Sequence, residues 1–240
     1  MHDGLEPPSP VLPTRRGWPG RVVHFIGSAP ITFGWLAVLF LTTIAQHLLP
    51  RWHLLELLRK DSTNLHHLAS DPIRVLITSL LWLDGAAWWP YLIGFCLFLA
   101  PAERWLGHLR FVIAGLIAHI VATYASEGYL YWQIQEALIS PRYLNARDIG
   151  VSYFAVGIVG LLTYHIARPW RWLYLFIALA YCIGNVVITP PTFTPPVGHL
   201  VALFVGFACY PLARGRPGSP VDPMRLLDLW RFRHPPTPVA

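Results

Sequence analysis

Charged side chains are few in this chain and clustered, so long apolar stretches carry none, and this constrains the fold more than any motif. Of 240 residues, 55% are hydrophobic and 12% are Asp, Glu, Lys or Arg. A soluble domain carries about 25% charged residues. Half that share cannot furnish a water-facing surface, but it suits a chain that passes repeatedly through lipid. Six apolar stretches, 30–49, 73–99 (its first part interfacial), 106–125, 150–167, 171–189 and 197–213, each lie near the roughly 20 residues that a helix needs to span the hydrocarbon core. The expected fold is therefore an all-α membrane protein, a bundle of six transmembrane helices whose surroundings are the lipid bilayer.

The connecting segments supply the orientation. Residues 1–29 read as a cytoplasmic tail without the apolar core of a cleavable leader, and 214–240 as a second tail rich in Pro and Arg, with one short helix expected at 224–230. Residues 51–71 form an amphipathic stretch suited to the interface. The loop 127–148 carries Tyr129, Tyr131 and Trp132 at headgroup level. With both termini in the cytoplasm, twelve of the basic residues lie inside and six outside, the bias of the positive-inside rule. That points to a multi-pass protein of the cell membrane. The net charge of +6 comes from arginines beside apolar spans, so nucleic acid is not an expected partner.

No cofactor or metal is expected. Cys96, Cys182 and Cys209 sit within apolar runs without ligand spacing. His66 and His67 are adjacent, so on a helix they face differently, and no His-Glu-x-x-His motif is present.

Two short stretches do suggest chemistry. Gly150-Val-Ser-Tyr-Phe-Ala-Val-Gly-Ile-Val-Gly160 opens the fourth span, and Gly198-His-Leu-Val-Ala-Leu-Phe-Val-Gly206 opens the sixth. Polar or ionisable groups at membrane depth are costly, which makes Ser152 and His199 functional candidates, a nucleophile and its base. Spans four and six run parallel and place both residues about 5 Å into their helices. Gly198, Ala202 and Gly206 form one small-residue stripe, and Gly150, Gly157 and Gly160 share a sector of span four. Such stripes let helix backbones approach closely. Elsewhere, Asp148 suits an N-cap of span four or, as an alternative, a residue that orients the loop before it. Asn185 suits a hydrogen bond across helices, His119 a bond to a neighbouring helix or a place at the interface, and Asp84 a polar position near the outer end of span two.

Over about residues 30–213 the chain resembles the rhomboid superfamily of intramembrane serine proteases, specifically its divergent bacterial members. In that family a Gly-x-Ser-Gly motif opens the fourth core helix, and Gly150 and Ser152 match it. An Ala-His with small residues three and seven positions on opens the sixth, matched by Gly198-His199, Ala202 and Gly206. Glu103-Arg-Trp-Leu-Gly-His-Leu-Arg-Phe111 is similar to the family's Glu-Arg-x-x-Gly-x-x-Arg-Phe loop. The resemblance implies Ser152 as nucleophile, His199 as base and a transmembrane segment of a client protein as substrate. Gly150, the backbone N–H groups of Ser152 and Tyr153, and Trp89 would serve as oxyanion support. The chain departs from the pattern at Tyr153, where the family has glycine, and at Trp89 and Ile93, where active members carry a His-x-x-x-Asn pair. Two functions follow: an intramembrane serine peptidase acting through a Ser-His dyad, or a catalytically inactive rhomboid-like protein that binds or escorts transmembrane clients. A small transporter is a weaker third reading, with no inverted repeat to support it.

Overall fold

The computed structural model describes residues 18–83, 87–145, 148–190, 195–216 and 221–222. Among them the regular elements are helical, apart from one parallel bridge between Ile166 and Val221. In chain order they are α1 (Trp18–Gly27), α2 (Pro30–Leu48), α3 (Arg51–Lys60), α4 (Leu65–Ser70), α5 (Pro72–Thr78), α6 (Trp89–Gly94), α7 (Ala100–Leu106), α8 (His108–Gln135), α9 (Val151–Leu162), α10 (Trp170–Ile188), α11 (Pro195–Ala208) and α12 (Tyr210–Ala213). A wider π-helical turn, Phe95–Leu99, joins α6 to α7 without a break.

Among the described residues, three helices, α2, α8 and α10, are long and apolar enough to cross a membrane. At 1.5 Å per residue the 28 residues of α8 span about 42 Å, more than the roughly 30 Å hydrocarbon core. Val151–His165 and Pro195–Ala208 are apolar but shorter. The expected second span, 73–99, is not one helix. It stops after the 3-10 turn Ser79–Leu81 and restarts at Trp89. Helix α2 satisfies the carbonyls that this break exposes: Trp35 Nε1 donates to Leu80 O at 2.7 Å, and Gln46 Nε2 to Leu83 O at 3.1 Å. Pro90 near the start of α6 favours the restart, since proline fits the first turn of a helix and little else in it. Asp84 lies outside the described residues.

The loop expected over 127–148 begins later, because α8 continues to Gln135. Ser126, Glu127, Leu130 and Gln133 all turn inward, and the Glu127 carboxylate accepts a backbone N–H at Leu65, the start of α4. A carboxyl group that reads as a helix end is instead buried against the start of a neighbouring helix. Within the expected N-terminal tail, 18–27 forms α1. The helix expected at 224–230 lies outside the described residues.

The Glu103–Phe111 motif ties helix ends together. Glu103, fully buried, accepts Ile31 N at 3.0 Å and Thr32 N at 2.8 Å, so it caps the N-terminus of α2. Arg104 holds Ser28 Oγ at 2.6 Å and Phe25 O at 3.2 Å, joining α1 to the same corner. Gly107 adopts φ +80°, a conformation costly for other residues, and lets α7 turn into α8. Arg110 reaches Leu212 O at 3.1 Å at the far end of the chain.

Helix α9 sits at the centre. It packs on α8, on α11 and on the Phe95–Leu99 turn, and buries Val151, Tyr153, Phe154, Ile158, Leu161 and Leu162. Phe154 is wedged between Trp35 and Phe111, with ring centroids 4.9 and 5.4 Å away. Helix α10 is peripheral: Cys182 is its only buried residue, while Trp172, Phe176, Ile177, Tyr181 and Val187 are exposed. An apolar exterior of this kind is suited to lipid.

Candidate active site

The small-residue stripes on α9 and α11 meet. A methyl group added at Gly206 would overlap the carbonyl of Gly157, and one at Gly160 would overlap the carbonyl of Leu203, so the two backbones are in direct contact. This spacing brings the first turns of the helices together. Ser152 Oγ lies 2.8 Å from His199 Nε2. With the imidazole proton on Nδ1, the serine hydroxyl donates to Nε2, the arrangement in which an imidazole can remove the proton during nucleophilic attack. Both residues are half-buried. Among the described residues, His199 Nδ1 has no hydrogen-bond partner, and the same holds for the Ser152 N–H.

The other expected support residues are placed as follows. Gly150 occupies the N-cap position of α9, and its carbonyl accepts Tyr153 N at 3.1 Å and Phe154 N at 3.3 Å. A Cβ at Gly150 would overlap the His119 ring. The Tyr153 N–H is therefore engaged within the turn rather than open to a substrate oxygen. Trp89 begins α6 and is 66% exposed, with no hydrogen bond from its indole among the described residues. The neighbouring Trp88 is the anchored one, donating to Leu36 O at 3.0 Å. Ile93 is half exposed and apolar. Of the expected oxyanion donors, the Ser152 N–H is the one left unpaired beside the nucleophile.

Asp148 does not take the capping place that the sequence suggests for it. Its Oδ2 accepts the Tyr153 hydroxyl at 2.8 Å. Its backbone is clamped by the buried segment before α4: its N–H donates to Ser62 Oγ at 2.7 Å, and its carbonyl accepts Thr63 N at 3.2 Å. His119 bonds Leu76 O at 3.0 Å, beyond its own helix. Asn185, expected to bond across helices, instead donates to Tyr181 O on α10 itself at 2.7 Å. His67 belongs to the start of α4, where Asn64 caps its N–H at 3.0 Å. Among the described residues, no three His, Cys, Asp or Glu side chains gather as a metal site would require.

An apolar cavity of about 500 Å³ lies between α9, α10, α11 and Phe98, lined also by Val156, Val159, Tyr174, Ile177 and Leu203. Val156 follows Ser152 by four residues and Leu203 follows His199 by four, so these lining residues lie about 6 Å along α9 and α11 from the pair. Sequence reasoning did not find it, because periodicity does not show how loosely α10 packs.

A family model described as rhomboid-like protein matches residues 24–219, most of the chain. This chain belongs to the rhomboid-like protein family. No curated protein and no solved structure matches it. Within this rhomboid-like protein, Ser152 stands on α9 and His199 on α11.

Proposed function

We propose that this rhomboid-like protein is an intramembrane serine peptidase that cleaves transmembrane segments of client proteins. The observation that carries the reading is the 2.8 Å contact between Ser152 Oγ and His199 Nε2. Ser152 attacks the client's peptide carbonyl as His199 takes its proton, and His199 then returns the proton to the leaving amine. Water hydrolyses the resulting ester by the same proton transfers in reverse. The unpaired Ser152 N–H is the oxyanion donor at hand. The client reaches the pair laterally from lipid, through the apolar cavity beside peripheral α10. In this reading the chain spans the bilayer six times with both termini in the cytoplasm. The second span is the continuous helical stretch from α6 to α7, and 51–81 is an outer interfacial segment.

The test is labelling with a fluorophosphonate, which forms a stable adduct with an activated serine. Folded wild-type protein is expected to label, and Ser152→Ala and His199→Ala are not. No Ser152-dependent label on folded protein sinks the reading.

One observation favours the second reading, a non-catalytic protein that holds transmembrane clients. Ile93 is apolar and Trp89 offers one indole N–H at most, so the two do not reproduce the His-x-x-x-Asn pair, and losing one oxyanion donor typically costs about 10²–10³ in rate. Such a protein binds clients equally well with Ser152→Ala and never releases cleaved product.

A further inference from the structure

His199 uses one ring nitrogen for Ser152, and its other has no partner among the described residues. In a serine–base pair a third group normally bonds that second nitrogen and fixes the ring plane. Among the described residues, the aromatic side chain packed on this imidazole is Tyr153. Its ring centroid lies 5.3 Å from that of His199 with the planes at 67°, an edge-to-face contact. Tyr153 is fully buried and is fixed from several sides. Its hydroxyl donates to Asp148 Oδ2 at 2.8 Å and lies 3.2 Å from Ser126 Oγ. The ring also lies against His119, with centroids 6.5 Å apart and planes at 27°. Gly198, directly before His199, leaves the Tyr153 ring no slack: a Cβ there would come within 2.5 Å of Cε1.

We infer that Asp148 and Tyr153 are positioning residues for His199, a packed aromatic anchor tied to a buried carboxylate. The inference rests on the peptidase reading above. It also accounts for the tyrosine where the resemblance expects glycine, since its side chain supplies an orientation contact to the His199 ring. Asp148 is suited to be the fixed end, because its backbone is itself bonded to Ser62 and Thr63. The orienting force thus runs from the 62–64 segment through Asp148 and Tyr153 to the imidazole.

The experiment uses full-length protein in lipid nanodiscs with two readouts, fluorophosphonate inactivation kinetics and the ¹⁵N spectrum of labelled histidine. Tyr153→Phe keeps the ring and removes the tie to Asp148. It is expected to lower the inactivation rate constant about tenfold with the probe's binding constant unchanged, as small misplacements of a catalytic group do. Asp148→Ala should behave alike, whereas Asp148→Asn, whose amide oxygen still accepts the phenol, should restore the wild-type rate. The His199 Nε2 signal that reports its bond to Ser152 should broaden or shift in the first two variants and persist in the third. Folded Tyr153→Phe and Asp148→Ala with wild-type kinetics and wild-type His199 signals overturn the inference. If wild-type protein does not label at all, the peptidase reading fails, and the histidine spectrum alone decides whether Tyr153 orients the ring. Should Asp148→Ala not fold, Tyr153→Phe, which removes a single oxygen, decides.

Discussion

Gly198→Ala is the smallest change that tests whether the dyad geometry depends on close packing. An added Cβ would lie 2.5 Å from Tyr153 Cε1, 2.6 Å from Cζ and 2.7 Å from the phenolic oxygen. Ordinary contact begins near 3.4 Å, so something must yield by about 0.9 Å. Tyr153 cannot yield easily, since it is fully buried and its hydroxyl is tied to Asp148. The first turn of α11 is left to move, and His199 is the next residue. Added to the 2.8 Å Ser152–His199 contact, that shift gives about 3.7 Å, beyond hydrogen-bonding range. The expected result is a fluorophosphonate labelling rate lower by about 10²-fold. Overpacking should also cost about 1–3 kcal/mol, visible as a lower melting temperature in detergent. Gly184→Ala on α10 is the control, because nothing lies within 4 Å of the site. It should leave labelling unchanged and be neutral or slightly stabilising, since alanine is the better helix former. Wild-type labelling by folded Gly198→Ala would refute the claim that this contact sets the position of His199.

Glu103→Ala removes a buried carboxylate that accepts Ile31 N, Thr32 N and His108 Nδ1, leaving two N-terminal donors of α2 unmet. Bonds to a charged acceptor are worth about 1.5–3 kcal/mol each, so a clear drop in melting temperature is expected, and an unchanged one contradicts the capping role. Ala178→Trp fills the cavity below Ser152 without touching the pair; cleavage of a transmembrane client should fall while labelling by a small fluorophosphonate persists. Equal loss of both would mean that the cavity is not the client's route. Asn185→Leu should be neutral or stabilising in lipid by thermal melting, because Asn185 bonds only its own helix's Tyr181 carbonyl; a loss would reveal a contact across helices.

Much of this architecture is legible in the sequence because lipid imposes simple rules. Apolar length marks α2 and α10, and the glycine and alanine stripes mark the α9–α11 contact, since few other arrangements explain small residues every fourth position. The break between α5 and α6 is harder to see, because the residues on both sides are apolar. Its signals are local, Asp84-Gly85 and Pro90, and its cost is met by Trp35 and Gln46 from a helix some forty residues earlier. Such long-range satisfaction of backbone groups leaves no trace in periodicity. The same limit hides Glu127: a carboxylate inside a helix reads as a boundary unless the N–H it accepts, far away at Leu65, is known. Asp148 shows the local version. An aspartate just before a helix suggests a cap, and only the fold shows that a phenol five residues on takes its carboxylate.

The two functional readings separate on what happens to a client when the nucleophile is removed. In the proposed membrane placement, an imidazole and a hydroxyl in helices made mostly of apolar and small residues are expensive to keep for packing alone. Three tight contacts, Gly206 on Gly157, Gly160 on Leu203 and Gly198 on Tyr153, are arranged so that this pair meets. An escort has no use for that precision, because holding a helix needs the apolar cavity and not the proton transfer. Ser152→Ala therefore should arrest the peptidase with its client still seated. In cells, a crosslinker placed at Ile177 should capture uncleaved client with Ser152→Ala and little with wild type, which releases its products. Equal capture by both proteins, with no client fragment from either, would assign the chain to client binding alone and leave the 2.8 Å contact without a chemical role.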